Sequence, residues 1–463
     1  ILDEIGLDLA PESGIKAMVA YGAVFTPEDG RVRFSNHVVE RALKDANRDV
    51  TLYARDPKHD LRLTGARVHY GTAGAAVHLA NIETGEYEES TLEHLFQAAK
   101  LTDYLDNVHF FQRCLIARDI LDNREMDINT LYASQSATTK HVGTAFTEAS
   151  YAEDCMPLLH MIAGGEEAWR ERPFVLNTNC FVVPPLKFAT ESCEVMETCI
   201  HAGMPVLLLS AGQAGATAPA PLASTVAQAI AECLAGLVYV QAIKPGASAV
   251  FGTWPFVADL RTGAMCAGSA EQALLTAACA QMGRFYDLPT GAAGGMADAK
   301  FPDAQSGAEH GITNVMAGLS GLNMVYEAAG MYASLLGFSF EGLILDDDVI
   351  GQCLRCVRGI EVTDENLDIE RIKAACLGGG PGHYLSDTQT LAKMETEFFY
   401  PKLSDRTSPK EWLEKGKPDL IQNAIKRKHE ILASPTKAAF EPDLDDAIRK
   451  AFPIKLPKET VYG

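Results

Sequence analysis

A segment rich in glycine and alanine, residues 288–348, carries several polar side chains of the kinds that bind ligands or perform catalysis. They are Asp298, Asp303, Gln305, His310 and Glu327. The segment alternates between short apolar runs and a helix-like stretch, as a strand–loop–helix–strand unit does. Chemistry in such units collects on the loops that follow the strands. We therefore favour a functional site in this cluster. Helix capping and loop solvation are the alternative explanations for each residue taken singly.

Aromatic side chains follow two strand-like runs and have the chemistry of a cation site. Phe251, Trp254 and Phe256 surround the end of one run, and Tyr326 and Tyr332 surround the end of another. The faces of aromatic rings attract quaternary ammonium groups, because the ring quadrupole is negative there. Packing inside a barrel is the competing interpretation of the same residues.

A metal site receives little support. Cys353 and Cys356 form a C-x-x-C pair, but they lie in a helical pattern and no second pair follows at zinc-site spacing. A structural zinc ion normally takes four protein ligands. We predict no metal site in this chain.

Regularly spaced apolar runs are the elements that must position these side chains. They lie at residues 108–111, 141–146, 174–181, 205–210, 248–254, 288–293, 322–326 and 383–385. Eight strands, most followed by a helix, are the pattern of a (β/α)8 TIM barrel. A doubly wound sheet has the same alternation, but no G-x-G-x-x-G fingerprint follows a strand. We therefore predict an α/β chain with a TIM barrel.

Segments with a different pattern flank this barrel. Residues 1–105 are expected to form an N-terminal α+β cap, with helices over residues 36–47 and 93–105. Residues 106–390 are assigned to the barrel. Residues 391–463 are charged and helical in pattern, and are expected to form a C-terminal helical extension.

Composition limits the classes of partner. The 463 residues are 47% hydrophobic and 22% charged, and the formal net charge is −21. Nucleic acid is disfavoured, because binding phosphates requires basic patches. The sequence has no run of about 18 apolar residues, so we predict no membrane span. Eleven cysteines without regular spacing favour reduced thiols and a cytoplasmic location.

Several motifs resemble the trimethylamine–corrinoid methyltransferase family. They are KFPDAQSGAEH at 300–310, LNMVYEAAGM at 322–331, FEGLILDDDVIG at 340–351, HYLSDTQTL at 383–391 and PKLSDRTSPKEW at 401–412. The likeness extends over residues 20–430. KFPDAQ and the region around residues 346–348 are its more specific parts.

The resemblance implies a fold, a partner and a reaction. It implies a (β/α)8 barrel that binds a methylated amine at its mouth, where a separate corrinoid protein presents Co(I) to accept the methyl group. This chain would then bind no cofactor of its own. The founding members carry pyrrolysine in the loop after the seventh strand. The matching region here, residues 330–337, holds only standard residues, so the chain resembles the non-pyrrolysine branch, which is associated with glycine betaine.

The lack of pyrrolysine favours a substrate that is already cationic. Attack on neutral trimethylamine would expel an amide-like anion, and pyrrolysine is thought to help by making that nitrogen cationic first. Glycine betaine has a permanent positive charge and leaves as a neutral tertiary amine, dimethylglycine. Orientation and electrostatics would then suffice for the reaction. We expect methyl transfer from glycine betaine to the corrinoid protein.

This chemistry assigns provisional roles to the candidate residues. The expected substrate-binding residues are Phe251, Trp254, Phe256, Asp298, Gln305, His310, Tyr326, Glu327 and Tyr332. The aromatic residues would enclose the cation, and Glu327, Asp298 and Asp303 would supply negative charge. The donors available to a betaine carboxylate are His310, Gln305, Asn177, Asn179, Lys300 and Arg113. No residue is assigned a proton-transfer role.

Other functions stay open at this stage. The same chemistry would serve carnitine, γ-butyrobetaine, proline betaine, dimethylsulfoniopropionate or another methylated amine. A binding barrel without methyl transfer is an alternative from a different class, and a zinc-dependent methyltransferase is disfavoured by the missing ligand set. A homo-oligomer is expected from the small-residue helix over residues 223–242 and the charged tail.

Overall fold

Eight parallel strands form a barrel at the centre of the protein. The computed structural model describes residues 1–72, 74–377 and 382–463. In chain order the barrel strands, β1–β8, are His69–Tyr70, Phe110–Gln112, His141–Thr144, Val175–Asn177, Val206–Ser210, Ala249–Thr253, Thr290–Ala293 and Met324–Tyr326. β8 pairs with β1, and a parallel bridge between Gly71 and Phe110 joins β1 to β2. The predicted (β/α)8 barrel is confirmed.

A helix follows every barrel strand and covers the outside of the barrel. These helices are Leu92–Tyr104, Asn123–Ala137, Ala149–Ala163, Thr190–His201, Leu222–Ile243, Ala270–Phe285, Ala304–Leu319 and Phe340–Arg358, with a short helix, Glu166–Glu171, before β4. β5 and β6 are buried at every position. Parallel strands covered on both faces are apolar throughout, rather than alternating. This is why the strands were visible in the sequence as continuous apolar runs.

One predicted strand was wrong. Residues 383–385 form turns and bends rather than a strand. The strand that completes the barrel in their place is β1, His69–Tyr70. This strand has only two residues, too few to give an apolar run. It lies within residues 1–105, so barrel pairing begins before the segment that we assigned to the barrel. The division of the chain at 105 and 390 otherwise stays a prediction.

The N-terminal part combines helices with short antiparallel strand pairs. Its elements before β1 are the helices Glu12–Tyr21 and Asn36–Asp45, the 3-10 helix Pro57–His59, and the strands Val24–Thr26, Arg31–Arg33, Thr51–Leu52 and Leu61–Arg62. Both α-helices pack on Leu222–Ile243. That helix is long and apolar enough to cross a membrane by length and composition, and 78% of its most apolar window is buried inside the protein.

Small sheets in the loops after the strands build up the mouth of the barrel. Gln213–Ala214 pairs with Phe256–Val257, and Val182–Val183 pairs with Lys187–Phe188. A four-stranded sheet contains Met331–Tyr332, Gly337–Phe338, His78–Asn81 and Glu86–Glu89. These pairings hold the loops after β1, β4, β5, β6 and β8 in defined positions.

The C-terminal part is helical, as predicted. Its helices are Asp364–Leu367, Ile369–Cys376, Thr388–Glu397, Pro409–Glu414, Leu420–Ala433, Pro442–Ala451 and Lys458–Tyr462. Leu420–Ala433 packs on Leu92–Tyr104 and Phe340–Arg358. The glycine run at residues 378–380 lies outside the described residues.

An ion pair within the helix Pro442–Ala451 is joined to the barrel by a tyrosine of a barrel helix. The Asp445 side chain is completely buried and accepts a hydrogen bond from Arg449 Nε at 2.8 Å. The hydroxyl of Tyr132, on the helix after β2, also donates to Asp445 and accepts from Arg449 Nη2 at 2.7 Å. A buried pair of this kind is sensitive to the loss of one partner, since the other is left charged and unpaired.

We expect Asp445→Ala to lower the free energy of unfolding by about 3–5 kcal/mol, because Arg449 loses its partner in a buried site. The matched control is Asp446→Ala, since Asp446 pairs with Lys458 at the surface and exposed pairs contribute about 0–1 kcal/mol. Urea unfolding of both variants measures the difference. Equal, small losses would contradict the role given to the pair.

Candidate functional site

A half-open cavity of about 350 Å³ lies at the carboxyl ends of the barrel strands. Its walls come from the residues at the ends of every strand except β7. They are Gly74, Ala75, Gln112, Arg113, Ala145, Thr178, Asn179, Cys180, Leu209, Ala211, Trp254, Phe256, Glu327 and Leu335. The volume falls within the range of about 300–1,000 Å³ for small-molecule sites, and the position is that of TIM-barrel active sites.

A larger groove of about 640 Å³ lies elsewhere, on the outer surface of the protein. Apolar residues of the N-terminal segment and of the helix Leu222–Ile243 form most of its walls. Its charged groups are Asp3 and Glu40. It lacks the convergent polar groups of the cavity at the strand ends, so we place the candidate site in that cavity.

Glu327 is a buried carboxyl group without a partner in the described part of the chain. Its side chain is 2% exposed, and Oε2 has no hydrogen-bond partner among the described residues. Burial raises the pKa of this carboxyl to about 8. Removal from water disfavours the charged form of an acid when no cation or donor compensates. At neutral pH the group is therefore mainly protonated.

The backbone at Glu327 is held in the left-handed conformation, with φ at 62°. The next residue is fixed through both of its backbone polar groups, because Ala328 N–H donates to Gly71 O at 3.0 Å and Asn314 Nδ2 donates to Ala328 O at 3.0 Å. Gly295 permits this packing, since a Cβ there would lie 2.6 Å from Ala328 Cα. A non-glycine residue in this conformation costs about 1–3 kcal/mol and persists only when its surroundings enforce it.

Two aromatic residues share the cavity with Glu327. Trp254 N–H donates to Ser210 O at 2.9 Å and Phe256 N–H donates to Gly212 O at 2.8 Å, so both continue the pairing of β6 with the chain after β5. The ring of Trp254 lies 5.0 Å from that of Tyr326. The indole Nε1 has no partner among the residues that the structure describes. Aromatic faces beside a carboxyl group are the composition of a site for an organic cation.

Arg113 gives the same cavity a positive charge. Burial lowers the pKa of its guanidinium, but a guanidinium is not deprotonated in proteins at neutral pH. Within the described part of the chain Arg113 Nε is unpartnered, and Nη1 reaches only Ala145 O at 3.5 Å. Asp127, whose own pKa burial raises to about 6, faces Arg113 from the following helix. The guanidinium therefore keeps donors free for an anionic group.

The remaining polar residues of the wall are mostly engaged with one another. Gln112 Nε2 donates to Thr178 Oγ1 at 2.7 Å, while Gln112 Oε1 has no partner in the described chain. Asn179 Oδ1 accepts from Phe146 N at 3.0 Å and from Asn177 Nδ2 at 2.8 Å. Asn177 and Asn179 thus shape the wall, and Asn179 keeps one amide N–H available.

Three of the nine expected substrate-binding residues, Trp254, Phe256 and Glu327, line this cavity together, and so do Arg113 and Asn179 from the expected carboxylate donors. Tyr326 lies behind Trp254 and does not reach the cavity wall. Phe251 points to the outside of β6, where its ring packs 6.3 Å from that of Tyr286. Of the aromatic candidates for the cation site, Trp254 and Phe256 line the cavity, while Phe251 and Tyr326 do not.

The other predicted site residues hold loops and helix ends instead. His310 Nδ1 lies 2.6 Å from Asp346 Oδ1 and its Nε2 lies 3.2 Å from Met331 O. Burial would lower the pKa of His310, but Asp346 outweighs burial and raises it. Tyr332 packs 5.2 Å from this imidazole and does not line the cavity.

Asp298, Gln305 and Asp303 also have structural contacts. Asp298 accepts hydrogen bonds from Ala267 N at 2.8 Å and Gly268 N at 3.3 Å, which ties down the loop after β6. Gln305 donates to Glu309 at 2.8 Å on an exposed helix face. Asp303 caps the helix Ala304–Leu319, so for this residue the capping interpretation describes the observed contacts.

Sequence reasoning did not single out Gln112, Thr178 or Cys180. Cys180 lies at the cavity wall, and desolvation by the surrounding protein, followed by the nearby Glu327, raises its pKa to about 11. All three residues lie at or just after the end of a barrel strand. That position was the available signal, since polar residues at strand ends face the mouth of a barrel.

No group of three or more His, Cys, Asp or Glu side chains that could hold a metal ion occurs in the described part of the chain. Cys353 and Cys356 lie on the helix Phe340–Arg358, the first buried and the second exposed.

Comparison with known proteins identifies the family. The trimethylamine methyltransferase (MTTB) family matches residues 1–459. A glycine betaine methyltransferase from Desulfitobacterium hafniense (strain Y51) is 30% identical over 459 residues, which are 99% of this chain and 94% of the relative. A trimethylamine methyltransferase from Methanosarcina thermophila is 30% identical over 417 residues, 89% of this chain and 85% of the relative. With a barrel fold, a cavity at the strand ends and a match over nearly its whole length, this chain belongs to the trimethylamine methyltransferase family and is a methyltransferase.

Proposed function

We propose that this methyltransferase takes a methyl group from a zwitterionic quaternary amine, glycine betaine, and passes it to the cobalt of a separate corrinoid protein. The observation that carries the proposal is the pairing of opposite groups in one cavity. Glu327 and the rings of Trp254 and Phe256 suit a trimethylammonium group, and Arg113 suits a carboxylate. The name of the Desulfitobacterium relative agrees with this substrate.

The residues of the chain have three tasks in this reaction. Glu327 and the aromatic rings hold the ammonium group, Arg113 fixes the carboxylate, and together they point one methyl group toward the opening. The reduced corrinoid supplies the nucleophile that accepts this methyl group. The leaving group is a neutral tertiary amine, so no side chain has to protonate it. Catalysis then consists of orientation and electrostatic complementarity.

A half-open cavity supports the involvement of a second protein, because a methyl acceptor carried by a partner must approach from outside. The cavity residues are compatible with a chain that binds no cofactor itself. A homo-oligomer and a cytoplasmic location remain predictions from the sequence.

Trimethylamine is the second candidate substrate. A trimethylammonium ion would donate its single N–H to a carboxylate, and Glu327 has an unpartnered oxygen to receive it. Most of the similar curated relatives are trimethylamine methyltransferases. Arg113 argues against this candidate, since trimethylamine has no anionic group for a buried guanidinium to bind.

Methyl transfer to a reduced corrinoid protein tests the reaction directly. We expect the absorption spectrum of methylcobalamin to appear with glycine betaine and not with trimethylamine, and we expect dimethylglycine as the second product. Transfer from trimethylamine alone would overturn the substrate. Binding of betaine without any transfer would support a binding barrel.

Trp254→Ala should weaken betaine binding by roughly 5–30-fold, because a desolvated cation–π contact contributes about 1–2 kcal/mol. Trp412→Ala is the control, since Trp412 lies at the surface of the C-terminal part and donates only to Pro418 O. Calorimetry gives both affinities. Unchanged betaine affinity in the Trp254 variant would remove this residue from the site.

Arg113→Gln should lower the affinity for betaine without lowering the affinity for a cation that has no carboxylate. We expect betaine to bind about 10–100-fold more weakly, since hydrogen bonds to charged groups contribute about 1.5–3 kcal/mol, while tetramethylammonium keeps its affinity. A similar loss for both ligands would show that Arg113 supports the fold of the cavity and does not read the carboxylate.

A further inference from the structure

We propose that Glu327 determines the preference of the cavity for a permanent cation by holding a proton in the absence of a ligand and releasing it when a quaternary ammonium group binds. The inference rests on the proposed function, because it concerns the ligand of the same cavity. Binding of the ligand would then release one proton, and Glu327 would be the group that releases it.

Glu327 differs from the other buried carboxyl groups of the described chain in its lack of a hydrogen-bond donor. The other buried carboxyl groups, each with at least one hydrogen-bond donor, are Asp127, Glu232, Glu341, Asp346, Asp347, Asp348 and Asp445. Asp348, for example, accepts from the backbone N–H groups of Lys402 and Leu403, both at 2.8 Å. Glu327 accepts no hydrogen bond from a described residue and forms no ion pair with one. The described residues thus compensate burial at seven positions and do not compensate it at Glu327.

The position of the uncompensated group is specific. Glu327 lines the cavity with Trp254 and Phe256, and its left-handed backbone is held by the peptide contacts of Ala328. An isolated carboxylate in a site of low polarity is costly, so the group is neutral until a cation arrives. A tetraalkylammonium ion cannot donate a hydrogen bond, so its attraction to Glu327 depends on the charge of the carboxylate. Binding and ionisation are therefore coupled.

The proton balance closes over one catalytic cycle. Binding converts the carboxylic acid of Glu327 and a cationic substrate into a carboxylate–cation pair and releases one proton to solvent. Loss of the methyl group leaves a neutral tertiary amine beside the carboxylate. The product amine is a stronger base than the carboxylate and takes one proton from solvent as it leaves the cavity. Glu327 then regains the proton that it released on binding, so the protein ends the cycle in the state in which it began.

The neighbouring titratable groups do not obscure this equilibrium. Besides Glu327, the cavity wall contains Arg113, which stays cationic, and Cys180, whose pKa burial raises to about 11. The phenol of Tyr326, next in the chain, has its pKa raised by burial. Asp127 faces Arg113 and does not line the cavity. Glu327 is thus the group of this wall that titrates between pH 7 and 9.

The direction of the pH dependence follows from these facts. Burial holds the pKa of Glu327 at about 8 without ligand, and a cation in contact lowers it. Below pH 8 the protonated form must first lose its proton, so the apparent Kd for betaine should fall about ninefold from pH 6 to 7 and about fivefold from pH 7 to 8. Above pH 8 the carboxylate is already present, and the apparent Kd should level off.

The test compares glycine betaine with its carbon isostere, 3,3-dimethylbutanoate. The isostere has the same carboxylate, but an uncharged tert-butyl group replaces the trimethylammonium group. Calorimetry of the full chain in two buffers of different ionisation enthalpy, at pH 6.5 and pH 9.5, counts the protons exchanged. For betaine we expect release of about one proton at pH 6.5 and very little at pH 9.5. For the isostere we expect no release and an affinity that does not improve as the pH rises.

Variants complete the test. Glu327→Gln should abolish proton release and most of the preference for betaine over the isostere, while the isostere still binds and so reports an intact cavity. The matched control is Glu232→Gln, a buried glutamate that already accepts from Leu186 N at 2.9 Å, and it should keep the proton release. Betaine binding without proton release in the unmodified chain would overturn this inference and leave the proposed function standing. Failure of every quaternary amine to bind would overturn the proposed function as well.

Discussion

A carboxyl group buried without a partner is the constraint around which the mouth of this barrel is organised. Taking a carboxylate out of water costs several kcal/mol unless donors or a cation replace the lost hydration. Among the described residues, the other buried acids have such donors and Glu327 has none. The rest of the barrel must be stable enough to offset this cost and the left-handed backbone at the same residue. A bound cation would stabilise the carboxylate and so offset part of that cost. The unsatisfied carboxyl group therefore indicates that the ligand is a cation.

The barrel topology brings the parts of the cavity together from distant points in the chain. Arg113 follows β2, Trp254 follows β6 and Glu327 follows β8. Parallel strands direct all their carboxyl ends to one edge, so the residues just after each strand meet there. Local pairing then sets the finer geometry. The contact of Phe256–Val257 with Gln213–Ala214 keeps the two aromatic rings at the wall.

Polar residues near the cavity mainly fix the loops that surround it. His310 and Asp346 join the helix Ala304–Leu319 to the helix Phe340–Arg358, and Gly330 N–H donates to the same aspartate at 2.8 Å. Asp298 anchors the loop after β6 through backbone N–H groups. Buried polar groups of this kind are satisfied by the protein itself. The polar density of residues 288–348 therefore marks the surroundings of the site, and one residue within it, Glu327, belongs to the wall.

The amino-acid sequence by itself determined the barrel and much of its strand order, because seven strands form apolar runs long enough to recognise. The two-residue strand β1 carries no such signal, and only pairing with β8 and the bridge to β2 define it. The sequence also placed Trp254, Phe256 and Glu327 at strand ends, where a barrel gathers its chemistry. Tertiary structure alone decided that Phe251 points outward and that Arg113 shares a wall with Glu327. A strand buried on both faces shows no alternation of polar and apolar residues, so its inward and outward positions are set by strand tilt and packing.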